Sequence, residues 1–315
     1  MPYPYSIENI NKRAAEDPEG FARECEAIYN RKAAETAAVI LERAEAADSH
    51  IVFLSGPSGS GKTTTAKKIC SALEGLGVRA EAVSMDKYFV APDPETSPRT
   101  SDGEFDRESP YCLDIELLNE HISMLERKEE ILIPHFSFVH QIRDGSKAVP
   151  MRRGHGDIVI FEGIHALNDM LTLKNPKAFK LYVSARSDVV RGGEVCFRRT
   201  WTRLLRRIVR DELFRGMDAS VTLKMWANVR RGEKTYISPF KYKADMLFDS
   251  SMEYEIPVMK KFALKAFNDI PDAVERMEEF RAIPHVLGGI EEIDAGAVPR
   301  DSLLREFIGG SAFDY

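Results

Sequence analysis

The segment Gly56-Pro57-Ser58-Gly59-Ser60-Gly61-Lys62-Thr63 is a full G-x-x-x-x-G-K-[ST] phosphate-binding loop. Small residues at these spacings let backbone N–H groups turn inward around phosphate oxygens, and a following helix adds the partial positive charge of its N-terminus. Lys62 can then reach the outer phosphates of a nucleoside triphosphate, and the Thr63 hydroxyl can bind Mg²⁺. The cofactor set that follows is ATP, or another nucleoside triphosphate, with Mg²⁺. Its contacts are expected from Gly56, Ser58, Gly59, Ser60, Gly61, Lys62, Thr63 and Thr64. Two acids follow at the ends of apolar runs. Asp86 ends Ala82-Val83-Ser84-Met85-Asp86, where a carboxylate can take a proton from an attacking hydroxyl. Taken alone, it could equally cap the next element. Glu162 ends Ile158-Val159-Ile160-Phe161, and its hard oxygens suit Mg²⁺ beside Thr63. His165, three residues on, is a candidate for shaping the acceptor pocket. A basic stretch, Arg198 to Arg210, sets Arg203, Arg206, Arg207 and Arg210 on one helical face. Such guanidinium groups can offset charge on a transferring phosphoryl group as a lid. A nucleic-acid patch or a solvated face would read the same way in isolation.

Positioning these residues takes a strand before the loop and a helix after it. Ile51–Phe53 and Leu54 form the apolar run of a buried strand, and Thr63 to Leu73 has helical character. Further strands are expected at 79–84, 158–161, 181–184 and 246–248. They are mostly unbroken apolar runs, as for parallel strands covered on both faces. Helical spacing fills the intervals: Leu118, His121, Ile122 and Leu125 share one face, and Val221, Met225 and Val229 another. The fold class is therefore α/β, a P-loop NTPase with a doubly wound parallel sheet. One interruption, 131–139 and 147–151 around Arg143-Asp144-Gly145-Ser146, reads as an inserted β-hairpin. The expected organisation is a helical N-terminal extension over 1–49, a kinase domain over 50–260, and a C-terminal helical extension over 261–315. In the first, Asp17-Pro18-Glu19 starts a helix running to about Ala47. In the last, 262–267, 273–280 and 303–308 have helical character.

The 315 residues carry a net charge of −6 and are 43% hydrophobic. That supports a sizeable core and argues against a general nucleic-acid binder. The four separated cysteines form no C-x-x-C pair, as in a reducing compartment. The N-terminal residues lack the pattern of a secretory leader, and no apolar run approaches the ~20 residues of a membrane span. A cytoplasmic location without membrane association is expected.

Taken together, the chain resembles the uridine kinase branch of the phosphoribulokinase/uridine kinase family, over about residues 50–260. It is most similar to bacterial uridine kinase-related nucleoside kinases. The likeness rests on the phosphate loop, Asp86-Lys87-Tyr88-Phe89, Glu104-Phe105-Asp106, Ile133-Pro134-His135-Phe136-Ser137-Phe138, Phe161-Glu162-Gly163-Ile164-His165 and Arg206-Arg207-Ile208-Val209-Arg210-Asp211. It implies ATP- and Mg²⁺-dependent transfer of the γ-phosphoryl group to a small-molecule hydroxyl, with a nucleoside 5′-hydroxyl first in line. It also implies Asp86 as base, Asp106 on ribose hydroxyls, and Arg207 and Arg210 on substrate or phosphates. Tyr88, Phe136, Gln141, His165 and Arg207 fall in the substrate region, and a homo-oligomer is among the states expected. In relatives that phosphorylate uridine and cytidine, several polar contacts to the base fall where this chain has Phe136, Gln141, Met217 and Met225. Those replacements keep a sugar phosphate or a pantothenate-like acceptor open. A nucleotide-dependent sensor or RNA-associated regulator, drawing on the arginine stretch, is a further alternative.

Overall fold

The computed structural model describes residues 3–268, 270 and 280–314. At its centre lie five parallel strands, β1 (Ile51–Ser55), β2 (Ala80–Ser84), β3 (Ile158–Glu162), β4 (Phe179–Ser184) and β5 (Met246–Asp249), in the spatial order β5-β4-β1-β3-β2. Each falls on a segment expected to be a strand, although β2 carries the exposed Glu81. β1 and β3 are buried along their whole length, as strands covered on both faces must be. Register matters more here than strand count. Leu54 of β1 and Ser84 of β2 both pair with Glu162 of β3, so three strands end level. The phosphate loop, Asp86 and Glu162 therefore emerge at one edge of the sheet, the edge at which open α/β sheets bind ligands.

The helix after the loop (Lys62–Gly75, the loop helix) packs on the sheet beside a long N-terminal helix (Pro18–Ala47). Asp17 caps the latter by accepting from the Gly20 N–H. Phe21, Tyr29, Ala33, Ala37, Ile40 and Ala44 of this helix are buried in the same apolar cluster as the sheet. A first helix (Ile7–Glu16) and a small sheet, in which Tyr5–Ser6 pairs with Val189–Arg191 and the latter with Glu194–Phe197, were not foreseen in the sequence. Two further helices cover the same side: the arginine helix (Arg199–Phe214) and the helix Ala219–Gly232. The latter buries Thr222, Leu223, Trp226 and Val229, whereas Val221 faces solvent. The expected face was thus rotated, because the aromatic anchor Trp226 and its neighbours set the core side.

The hairpin has two tiers. Glu130–Ile133 pairs with Val149–Arg152, and Phe136–Ser137 pairs with Ile142–Arg143. Its tip is at 138–141, earlier than the Asp144–Ser146 turn expected to close it, and that turn is a short 3₁₀ segment. Toward the C-terminus, Glu255–Asn268 is helical, and the expected helix over 273–280 lies almost wholly outside the described residues. The segment around Arg305–Ile308 is a short docked helix, with Leu303, Leu304 and Phe307 fully buried.

Candidate active site

The phosphate loop departs from β1 at Gly56. A Cβ at Gly56 would lie 2.0 Å from the Val183 carbonyl oxygen, so only glycine lets the loop pass β4. Gly59 and Gly61 have φ of 70° and 79°, the left-handed conformation that favours glycine and turns successive N–H groups toward one centre. At the start of the loop helix, Lys62 sits among protein, and its Nζ donates to the Pro57 carbonyl at 3.3 Å. Burial lowers the Lys62 pKa, while Glu162, Asp86 and Glu306 act against that shift. Thr63 donates its hydroxyl to Glu162 Oε1 at 3.2 Å.

Glu162 is buried, and its carboxyl is pushed up to about 7. Desolvation is the main cause, opposed by Lys62 and reinforced by Asp86. Asp86, in a 3₁₀ turn capped by the Ser84 hydroxyl, is reachable by solvent yet crowded by protein. Desolvation raises its carboxyl pKa, and Lys62, Arg215 and Arg210 oppose the shift. A hydroxyl and a carboxylate 3.2 Å apart are hard oxygen donors that fit Mg²⁺, an ion that takes few protein ligands and completes its shell with water and phosphate.

The arginine helix is not a free lid. Arg203 donates through Nε to the Ser58 carbonyl at 3.0 Å and is bidentate to Glu233. Arg206, fully buried, is bidentate to Glu255 and donates to the Gly59 carbonyl at 3.2 Å and to the Ser250 carbonyl at 2.8 Å. Arg207 donates to the Ser58 hydroxyl at 3.1 Å and pairs with Asp211 at 3.2 Å. Arg210 pairs with Glu306 at 3.2 Å. These four side chains are turned into the protein, so they form neither a solvated face nor an open nucleic-acid patch. Three of them brace the outer rim of the phosphate loop through the main chain or hydroxyl of Ser58 and the carbonyl of Gly59. Sequence reasoning missed this role for Arg203 and Arg206, because their partners Glu233 and Glu255 lie far along the chain.

The acceptor side is built differently. Asp106 is buried, its two oxygens held by the Arg231 fork at 2.8 and 3.3 Å and by the Tyr236 hydroxyl at 3.0 Å. Close by is Glu108, absent from the sequence-based candidates, with its carboxyl pushed up to about 7 by desolvation and by Asp106, against Arg207 and Lys62. Gly232 makes room for it, since a Cβ there would meet Glu108 Cβ at 2.3 Å. The His165 ring is buried edge-on to Tyr236 and is held neutral, its pKa lowered to about 4 by desolvation. Phe89, Phe136 and Phe138 form an aromatic wall with ring centroids 5.1–5.7 Å apart. Phe138 is 58% exposed at the hairpin tip.

Two expected substrate contacts fall elsewhere. Tyr88 is fully buried and its hydroxyl is bonded to His121 Nδ1 at 2.9 Å, because the 3₁₀ turn sends it into the core and leaves Asp86 exposed. Gln141 sits exposed at the hairpin tip with φ 53°, on the outer turn rather than beside the Phe136 ring. Arg143 instead locks the hairpin base, donating to the carbonyls of Tyr88 and Phe89 and pairing with Asp114 at 2.9 Å.

A parallel sheet with a phosphate loop, and two strand-end acids facing the loop lysine, defines a P-loop kinase. The sequence model of the phosphoribulokinase/uridine kinase family matches residues 51–257, and the chain belongs to that family. It is 28% identical to a uridine kinase of Saccharomyces cerevisiae over 260 residues, 82% of this chain but 46% of the yeast protein. It is also 28% identical to a uridine kinase of Staphylococcus haemolyticus over 202 residues, 64% of this chain and 87% of that one. Among solved structures, D-glycerate 3-kinase from Cryptococcus neoformans superposes with a TM-score of 0.43 at 15% identity, covering 65% of this chain and 88% of that one. That likeness bears on neither substrate nor mechanism. Among the described residues no helix is long and apolar enough to cross a membrane.

Proposed function

We propose that this kinase transfers the γ-phosphoryl group of ATP to a hydroxyl of a small acceptor, with a nucleoside 5′-hydroxyl as the leading candidate. The observation that carries this reading is the level ending of β1, β2 and β3, which brings the phosphate loop, Asp86 and Glu162 to one edge. The acceptor oxygen forms the new P–O bond, the bond from the γ-phosphorus to the bridging oxygen breaks, ADP leaves, and the acceptor proton passes to Asp86. A carboxyl raised by its crowded surroundings is a better proton acceptor than an ordinary aspartate. Lys62 and the loop N–H groups would hold the phosphates, and Arg207 and Arg210 would offset their charge. Thr63 and Glu162 would hold Mg²⁺, which supplies positive charge where the phosphates meet. Of the substrate-side residues, Asp106, with Arg231 and Tyr236 fixing its oxygens, would face sugar hydroxyls. His165 and Phe136 would shape the pocket.

The character of the acceptor side supports an uncharged, hydroxyl-bearing compound. Two acidic side chains, Asp106 and Glu108, and an aromatic wall favour such a molecule over one bearing phosphate or carboxylate. A second reading, an uncharged acceptor without a pyrimidine, is favoured by the apolar Phe136 ring and by Gln141 lying exposed on the hairpin tip. ADP release in the presence of ATP and Mg²⁺ tests both across nucleosides, neutral polyols, sugar phosphates and pantothenate. Stimulation by uridine or cytidine supports the first reading, stimulation by polyols alone the second. Stimulation by sugar phosphates or pantothenate alone overturns both.

A further inference from the structure

The C-terminal segment is built into the phosphate site. Glu306 is buried, and its Oε2 accepts from the Thr64 hydroxyl at 2.7 Å while its Oε1 pairs with Arg210 Nη1 at 3.2 Å. Thr64 lies in the first turn of the loop helix, and Arg210 projects from the arginine helix. One carboxylate thus ties together the two elements that grip the phosphates. Arg210 lies within electrostatic reach of Lys62 and Asp86, and its buried Nε has no hydrogen-bond partner among the described residues. The segment that carries Glu306 is itself fastened. Arg305 holds the carbonyls of Ala295, Val298 and Gly309, Ser302 is bonded to Tyr254 at 3.2 Å, and Asp301 pairs with Lys68 of the loop helix at 2.8 Å. The side chain of Leu303 lies against the loop itself: a Cβ at Gly61 would be 2.1 Å from Leu303 Cδ1.

We propose that Glu306 is a positioning residue of the nucleotide site, fixing Arg210 and the first turn of the loop helix in the geometry that receives the outer phosphates. A carboxylate beside a phosphate site would repel the ligand if it stood alone. Paired with Arg210 it contributes little net charge and instead fixes where the guanidinium sits. The assignment rests on the reading of this edge as a nucleotide site, but it requires no particular acceptor.

The test is a double-mutant cycle on nucleotide binding in the full chain, read by titration of a fluorescent ATP analogue with Mg²⁺. Wild-type binding of the analogue checks the nucleotide-site reading first, and absence of acceptor turnover leaves the cycle intact. Glu306→Gln and Arg210→Ala are each expected to weaken binding about 5- to 30-fold, and the double variant no further than the weaker single one, as for residues sharing one network. Asp301→Asn, which cuts the tie of the same segment to Lys68 without touching Glu306 or Arg210, is expected to lower the melting temperature while leaving affinity within about twofold. The proposal is overturned if Glu306→Gln binds the analogue like wild type, if the two losses multiply, or if Asp301→Asn weakens binding as much as Glu306→Gln.

Discussion

The two halves of the candidate site are made by opposite means. The phosphate half is held from every side by buried groups: Arg203, Arg206 and Arg207 at the loop rim, Tyr29 on Thr65 at 2.6 Å, and Glu306 on Thr64. The acceptor half rests on an inserted hairpin with an exposed tip, fixed at its base by Arg143. Phosphate geometry is the same for every acceptor, so a rigid cradle serves it, and rigidity here comes from buried charge that must be fully paired. A hairpin, by contrast, can change its tip without disturbing the sheet.

The largest effect should come at the junction of the two halves. Asp86→Asn is expected to lower kcat by ~10²- to 10⁴-fold while ATP binding survives; turnover at the wild-type rate would remove Asp86 as the base. Next, within the phosphate half, Glu255→Ala leaves the Arg206 guanidinium buried and unpaired. It should cost about 3–5 kcal/mol of stability, measurable by denaturant unfolding. A loss below about 1 kcal/mol would mean that the arginine bracing is incidental.

Glu108 gives a pH-dependent test of the boundary. Its carboxyl is raised from 4.5 to about 7 in the folded protein, so folding favours the protonated form. The stability it contributes is complete below pH 4.5 and is lost as pH rises through about 7. Melting curves across this window should show a shallower decline for Glu108→Gln than for wild type. Parallel curves would place Glu108 in solvent. The smallest effect on stability is expected at the hairpin tip. Phe138→Ala should change unfolding free energy by about 0.5 kcal/mol or less, as for an exposed side chain, while raising the acceptor KM. A drop comparable to Glu255→Ala would erase the contrast between the halves.

The phosphate half was the more legible in sequence, but only in part. The loop, the apolar strands and their terminal acids are local patterns, and the level strand ends follow from parallel pairing. The bracing was not legible, because the arginines read as a lid over the phosphates until Glu233, Glu255 and Glu306 were brought to them from distant segments. On the acceptor side the residue types were readable and their directions were not. One 3₁₀ turn decides that Asp86 is exposed and Tyr88 lies in the core, and the hairpin register decides that Gln141 lies on the tip. Glu108 gave no spacing signal, since its character comes from burial beside Asp106 and from the space left by Gly232.

The bond between Thr64 and Glu306 spans 242 residues of sequence. A ribosome makes the phosphate loop well before the segment that braces it. While the chain is still emerging, Gly61 lacks Leu303 against it and Arg210 lacks its carboxylate, so the nascent protein carries a motif without a finished cradle. Contacts that close such long loops are late to form. Completion of the braced loop is therefore tied to synthesis of the segment around Leu303 and Glu306, and a chain cut short before Leu303 would keep the sequence motif without those contacts.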